Sequence, residues 1–334
     1  MGNRLSSFEQ VRRAVEEFDR RTPLNGVIRV VHRDEVTFEQ AFGWASAQLQ
    51  VPNTVETKFH IASITKMFIA AAVMRLIDEG LVKLDDSPAR YHADFQALDA
   101  GVTIHHLLSN TSGLADIYAV PDLRLVVEQI VRDGRPLSAY LSSMNQAFVP
   151  GERWSYSSTN FLILSYVIEV VCGQPFEAAL RDLLFEPLGM RDTGEDDPFK
   201  VNPGRAYGHV RQNGIVYNAE NDKLARVTGP RELFSTVTDL TLWSHALLNG
   251  QILSPDAERL TFRSYGTVDF DPNLGYGYGW FLGRNFRLIG GGTPGFRSEF
   301  WQFPDKQLTV IMLWNEQSID SHKLFRTLRP LLFA

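Results

Sequence analysis

One cysteine, Cys172, occurs in the 334 residues of this chain, so neither an internal disulfide nor a cysteine-based zinc site can be built from it. Cys172 closes the apolar run that begins at Leu164, and reads as a buried structural thiol rather than a nucleophile. No stretch approaches the roughly 18 uninterrupted apolar residues of a membrane span. Basic residues (33) are fewer than acidic ones (39), and the net charge of −6 argues against the basic stripe that a nucleic-acid surface needs. The pairs Arg12-Arg13 and Arg20-Arg21 share a segment with Glu16, Glu17 and Asp19, a pattern of a solvated helix face. There is no internal repeat and no low-complexity segment. The beginning, Met1-Gly2-Asn3-Arg4-Leu5-Ser6, lacks the apolar core of a signal peptide, so a cytoplasmic location is expected, or a periplasmic or secreted one for a trimmed chain. The same residues fit a permissive myristoylation pattern, and Asn110-Thr111-Ser112 fits a glycosylation sequon; neither pattern is specific.

What the chain does have is apolar residues, 44% of its composition, and the length to bury them in a sizeable core. The spacing of Phe8, Val11, Val15 and Phe18 predicts an amphipathic helix over 6–21. Strands are predicted at 26–32 and 36–44, joined by the polar turn Arg33-Asp34-Glu35. The middle reads as helical, with helices at 63–80, 103–109, 123–133, 137–146, 159–172 and 175–186. Further helices follow at 237–249 and 254–263. Strands return at 277–283, 285–290, 297–303 and 308–314, with Pro304-Asp305-Lys306-Gln307 as the last hairpin turn, before a helix at 319–331. Strands at both ends and helices between predict an α+β fold, one antiparallel sheet built from the two termini, flanked by helices. The expected division is a discontinuous sheet domain, 1–60 with 230–334, and a mainly helical domain, 61–229, with the active site between them. The aperiodic, Pro/Gly/Asp-rich stretch 191–230 is the expected wall of a substrate pocket.

Ser63-Ile64-Thr65-Lys66 stands at the mouth of the most apolar helical stretch, placing a hydroxyl and an amine one turn apart on one face. A lysine there is partly desolvated, which favours the neutral amine and makes it a usable base. Ser63, in the first turn, has the positive helix end beside it. The same tetrad also fits a capping serine and a lysine that reaches to solvent. Pro150-Gly151 and the polar run after it force an irregular backbone from which Tyr156 can project. Gly290-Gly291-Gly292, at the end of a predicted strand, allows a close approach to backbone N–H groups, as an oxyanion hole requires, or else a flexible turn.

Several blocks in order over about 250 residues resemble the serine β-lactamase and penicillin-binding-protein superfamily. The resemblance is to its branch of class C β-lactamases, family VIII carboxylesterases, D-aminopeptidases and DD-carboxypeptidases. Pro52, Thr54, Thr57 and Phe59 lead into Ile61-Ala62-Ser63-Ile64-Thr65-Lys66. Leu107-Leu108-Ser109-Asn110-Thr111-Ser112-Gly113-Leu114 is similar to that family's L-L-x-H-T-S-G-L, with Asn110 for histidine. Phe185-Glu186-Pro187-Leu188-Gly189-Met190, Tyr276-Gly277-Tyr278-Gly279-Trp280 and Gly291-Gly292-Thr293-Pro294-Gly295-Phe296 complete it. The resemblance implies an acyl-enzyme mechanism with Ser63 as nucleophile, Lys66 and Tyr156 sharing proton transfer, and the backbone N–H groups of Ser63 and Gly292 as oxyanion hole. It implies no metal or organic cofactor.

Two departures bear on substrate. The family's Y-x-N reads Tyr156-Ser157-Ser158 here, with Asn160 two residues further on, and its Lys/His-x-Gly reads Ile289-Gly290-Gly291. Ser158, Ile289, Gly290 and Gly291 are therefore the expected substrate-binding positions. Losing both polar anchors favours a neutral ester over an anionic peptide or lactam. The expected activity is a carboxylesterase on small neutral esters, with weak β-lactamase activity allowed beside it. The alternatives are a D-amino-acid peptidase or lactamase, using Arg297 or Arg231 to hold a carboxylate, and a non-hydrolytic sensor on the same scaffold. Tyr118, Trp154, Tyr207, Tyr217 and Phe234 fit either a pocket lining or loop packing. No histidine falls in a motif that demands a role, and His105 and His106 read as structural. The implied partner is a small ester, amide or lactam; nucleic acid is not one.

Overall fold

The computed structural model describes residues 7–197, 199–219 and 231–333. The lipidation pattern at 1–6, and residues 198 and 220–230 of the expected pocket wall, lie outside the described residues.

Eight strands form the main sheet. Their spatial order is Thr267–Val268, Asp271–Tyr276, Phe281–Leu282, Arg287–Thr293, Phe296–Phe303, Leu308–Trp314, Gly26–His32 and Glu35–Phe42, each antiparallel to its neighbours. The chain's two ends therefore meet inside the sheet, with Gly26 opposite Trp314 and His32 opposite Leu308. This is the α+β architecture expected from strands at both termini. Arg33 and Asp34 both take positive φ (51° and 66°), the two-residue turn whose twist matches a hairpin. Leu308–Trp314 is buried along its whole length, as an apolar run between two partner strands should be. Each large side chain buried there contributes roughly 1.5–3 kcal/mol.

Trp301 and Gln302 show how the layers lie. Trp301 stacks on Phe325 of the helix Ser321–Leu332 with ring centroids 3.9 Å apart, whereas Gln302 donates to Ser244 Oγ of the helix Val237–Leu248 at 2.7 Å. Successive strand residues point to opposite faces, so these helices cover opposite sides of the sheet. The first helix, Ser7–Arg21, packs against the last one on the outer side. On the inner side, beside Val237–Leu248, lies the short 3₁₀ turn Ala62–Ile64, which runs into the helix Thr65–Asp78. Eleven of that helix's residues are buried, from Thr65 to Leu76, so it is the central helix that its all-round apolar sequence predicts.

Several boundaries differ from the sequence reading. The strand expected at 277–283 is instead Asp271–Tyr276 and Phe281–Leu282, separated by the turn at Gly277–Trp280. Gly279 has φ +76°, and a Cβ on it would lie 2.8 Å from the Lys66 carbonyl oxygen, so this turn packs directly on the central helix. The Gly290-Gly291-Gly292 run lies within Arg287–Thr293 and stays paired with Phe296–Phe303 instead of ending a strand. The stretch 191–230 contains a hairpin, His209–Gln212 with Ile215–Asn218. Cys172 is only partly buried, at the C-terminal end of the helix Ser158–Cys172, where the helix reaches the surface. Burial pushes its thiol up, with Glu79 and Asp182 adding to the effect, which works against a thiolate there. Asn110 of the sequon is fully buried, which removes it as an acceptor for a glycan.

Candidate active site

Ser63 sits in the 3₁₀ turn just ahead of the central helix, one step earlier than the first α-helical turn predicted for it. Lys66, in the first turn of that helix, is buried except for a trace of its surface and donates from Nζ to Ser63 Oγ at 2.9 Å. Tyr156 comes from the irregular segment before the helix Ser158–Cys172, and its hydroxyl donates to the same oxygen at 2.8 Å. Lys66 Nζ also lies over two rings, 5.1 Å from the centroid of Tyr156 and 5.7 Å from that of Phe161. A serine hydroxyl within hydrogen-bond reach of two proton-exchanging groups has the geometry of an activated nucleophile.

The turn that carries Ser63 is clamped by its neighbours. Ser298 Oγ donates to the Ile61 carbonyl at 2.7 Å, Ile61 N donates to Leu233 O at 2.9 Å, and Leu233 N donates to Thr65 Oγ1 at 3.1 Å. Gly291, opposite Ser298 in the sheet, faces the same turn: a Cβ there would stand 2.7 Å from both Ser63 N and Ile61 O. Gly290 and Gly292 face the other side, toward Glu299 and Arg297. Of the three glycines, Gly291 is thus the one whose missing side chain lets the strand meet the turn that carries Ser63.

Behind Tyr156 lies a buried polar network. Asn110 has φ +57°, which asparagine tolerates, and its Oδ1 accepts from Asn160 Nδ2 at 2.7 Å and from Ser157 N at 3.3 Å. Ser112 Oγ donates to Asn160 Oδ1 at 2.7 Å. Asn160 is therefore a fully buried strut and does not stand in for the missing second-motif asparagine. Ser158, at the head of its helix, is nearly buried, and its amide donates to Asp116 Oδ1 at 3.2 Å. Tyr276, fully buried beside Tyr156, turns its hydroxyl toward the Asn110 side chain; burial pushes that hydroxyl well up, and Tyr156 adds to the effect.

Other expected positions fall elsewhere. Ile289 has no exposed surface at all and belongs to the core opposite Phe300, so it offers substrate no direct contact. Arg231 is clamped to the helix Ser158–Cys172: its guanidinium bonds Glu169 Oε2 at 2.5 Å and Ser165 Oγ at 3.0 Å and stacks 3.8 Å from the Tyr166 ring. Arg297 lies on the outer side of the strand over Gly292 and donates from Nε to the Gln317 carbonyl at 3.3 Å. Trp154 is core, packed on Tyr276, while Tyr118, Tyr207 and Tyr217 are exposed. His105 Nδ1 bonds the Tyr278 hydroxyl at 2.8 Å, a structural contact as expected.

Sequence reasoning passed over two residues close to Ser63 in the fold, His60 and Glu232. His60 occupies an unspecified position of the Ser63 block, and Glu232 comes from a segment without periodicity, 230 residues into the chain. Pairing of Phe59–His60 with Leu233–Ser235 brings them together, with His60 Nε2 3.0 Å from Glu232 Oε2. The family model described as Beta-lactamase matches residues 11–329 of this chain. Esterase EstB of Burkholderia gladioli is 35% identical over 186 residues, spanning 51% of this chain and 47% of that protein. A D-aminopeptidase of Brucella anthropi is 25% identical over 334 residues, spanning 94% of this chain and 61% of that protein. Both alignments thus cover less than two thirds of the relative's own length. Among solved structures, a penicillin-binding protein from Bacillus halodurans superposes with a TM-score of 0.82 at 24% identity, covering 96% of this chain and 99% of that one.

Proposed function

The chain belongs to the Beta-lactamase family, whose members related to it are serine hydrolases, and from that premise we propose that it is a carboxylesterase acting on small neutral esters. Ser63 Oγ attacks the ester carbonyl, and its proton passes to the Lys66–Tyr156 pair. The negative charge that develops on the carbonyl oxygen is met by the backbone N–H groups of Ser63 and Gly292. The pair returns the proton to the departing alkoxide, leaving an acyl-Ser63 ester. Water, deprotonated by the same pair, then releases the acid and restores Ser63.

One observation carries the choice of a neutral ester. Among the described residues, each cation that the sequence offered for a substrate carboxylate is committed elsewhere: Arg231 to Glu169 and Tyr166, Arg297 to the outer side of the strand. Ile289, at the first position of the third motif, is buried and apolar. Glu232, only partly covered, is held ionised: burial works against this, but the hydrogen bond and charge of His60, with Lys66, outweigh it and bring its carboxyl below the ordinary value. Among the described residues, neither arginine is thus placed to offer an anionic lactam or peptide carboxylate a counter-charge.

The test is turnover of p-nitrophenyl butyrate, nitrocefin and D-alanyl-p-nitroanilide by the wild type and Ser63→Ala, with intact mass measured after a fluorophosphonate. Ester turnover well above that of the other two, and a label on the wild type alone, is the expected result. Ser63-dependent cleavage of the anilide or the lactam in preference to the ester would overturn the substrate assignment. An adduct without turnover of any of the three would replace the hydrolytic reading with that of a sensor.

A further inference from the structure

Three residues before the nucleophile, His60 is buried and makes two hydrogen bonds through opposite edges of its ring. Nδ1 accepts from the Ala62 amide at 3.0 Å, and Nε2 lies 3.0 Å from Glu232 Oε2. Ala62 has φ +47°, a left-handed conformation that an alanine adopts only when its surroundings impose it. It is the residue immediately before Ser63. We propose that His60 and Glu232 are a positioning pair for Ser63, in which His60 holds the strained turn that carries the nucleophile and Glu232 fixes the tautomer of His60. The inference rests on reading Ser63 as the nucleophile.

An imidazole that accepts at Nδ1 must carry its proton on Nε2, and a carboxylate facing Nε2 selects that tautomer. Glu232 is itself held in place, since its carbonyl accepts from Asp196 N at 2.9 Å and the Asp196 carboxylate is gripped by Arg205. The groups facing the ring are Glu232, Asp196 (Oδ2 at 3.8 Å), Arg205 and the Phe296 ring at 5.8 Å. Burial favours the neutral imidazole and Arg205 adds to that, yet the hydrogen bond and charge of Glu232, with Asp196, outweigh both and push His60 up. The Ala62 amide makes the opposite demand, because protonation of Nδ1 replaces its acceptor with a second donor. Acidification therefore releases Ala62 and loosens the turn. The Glu232 carboxylate thus bears on where His60 titrates as well as on which of its nitrogens carries the proton.

The experiment compares wild type, His60→Asn, His60→Phe, Glu232→Gln and Ser63→Ala across pH 5–9. It measures kcat and KM for p-nitrophenyl butyrate and the rate of phosphonylation by a fluorophosphonate. Asparagine keeps an acceptor near the Nδ1 position and phenylalanine keeps only the shape. His60→Phe should lose about 100-fold in kcat and in phosphonylation rate, with KM little changed and His60→Asn recovering at least about tenfold of it. Glu232→Gln still accepts from Nε2 but carries no charge, so the acid limb of its pH–rate profile, set by His60, should move about one unit toward acid. Loss of all activity in Ser63→Ala is the control for the underlying reading. If Ser63→Ala is inactive but the Glu232→Gln profile does not move and the two His60 variants are equal, the positioning pair is overturned alone. If Ser63→Ala still turns over ester, the nucleophile assignment falls and this inference with it.

Discussion

Gly291 faces the Ser63 amide nitrogen so closely that a Cβ on it would stand 2.7 Å away. The same Cβ would be 2.7 Å from the Ile61 carbonyl oxygen and from Ser298 Oγ; two of these three atoms are backbone and the third is hydrogen-bonded to one of them. Contacts this short do not occur without movement, and what would move is the turn carrying Ser63. Gly291→Ala should therefore cost about 100-fold or more in kcat, since displacements near 1 Å are that expensive in oriented catalysis. Gly292→Ala is the control. Its Cβ meets only the far end of the Arg297 side chain, at 3.0 Å, which can swing away, while the backbone N–H stays. It should keep most of the wild-type rate. Steady-state kinetics on the two variants decides the matter, and equal losses would show that the strand's close approach is not what matters.

The Asn160–Asn110 contact calls for a stability test. Asn160 stands between Ser112 Oγ and Asn110 Oδ1, both buried. Asn160→Ala leaves those two groups short of a partner where water cannot enter. The expected loss is about 1–3 kcal/mol in urea unfolding, with activity reduced only as far as Tyr156 is displaced. A neutral result would mean that the network relaxes or takes up water.

Ile289→Lys tests whether the third-motif departure can be reversed by one substitution. The position has no exposed surface and lies among core side chains, so an ammonium there would be buried without a carboxylate built to meet it. The variant should lose several kcal/mol of stability and gain no nitrocefin hydrolysis. Measured lactam turnover by a folded Ile289→Lys protein would show that the core opens at this strand.

These sites differ in how readable they were. The sheet was legible because its strands are apolar runs bounded by polar turns, with Arg33-Asp34 and Pro304–Lys306 at two of the corners. Ser63, Lys66 and Tyr156 were legible because short motifs set them on a helix mouth and a loop, and the structure brings their polar atoms within 2.9 Å. What was not legible depends on register and packing. The strand expected at 277–283 failed because glycines at 277 and 279 make a turn on Lys66, which periodicity cannot express. Ile289 was expected beside the substrate, but strand alternation and the helices around it bury it. His60 and Glu232 meet only because two short strands pair across more than 170 residues.

Glu299 gives a prediction about pH. It lies on the outer side of the sheet behind Gly290, accepts from Trp301 Nε1 at 3.1 Å, and burial pushes its carboxyl up from the ordinary 4.5 to about 8. In the unfolded chain the same group loses its proton near its ordinary value. Between the two values the folded protein holds a proton that the unfolded chain has released, so stability falls as pH rises through that window. The slope from this one residue is at most about 1.4 kcal/mol per pH unit, and it ends once the folded-state carboxyl also ionises. Glu299→Gln keeps an acceptor for Trp301 and removes the titration. Thermal unfolding of both proteins from pH 5 to 9 should therefore give Tm values that diverge in the variant's favour as the pH rises, with the smallest difference near pH 5. A Tm offset that stays constant across the range would mean that Glu299 is not the group that titrates.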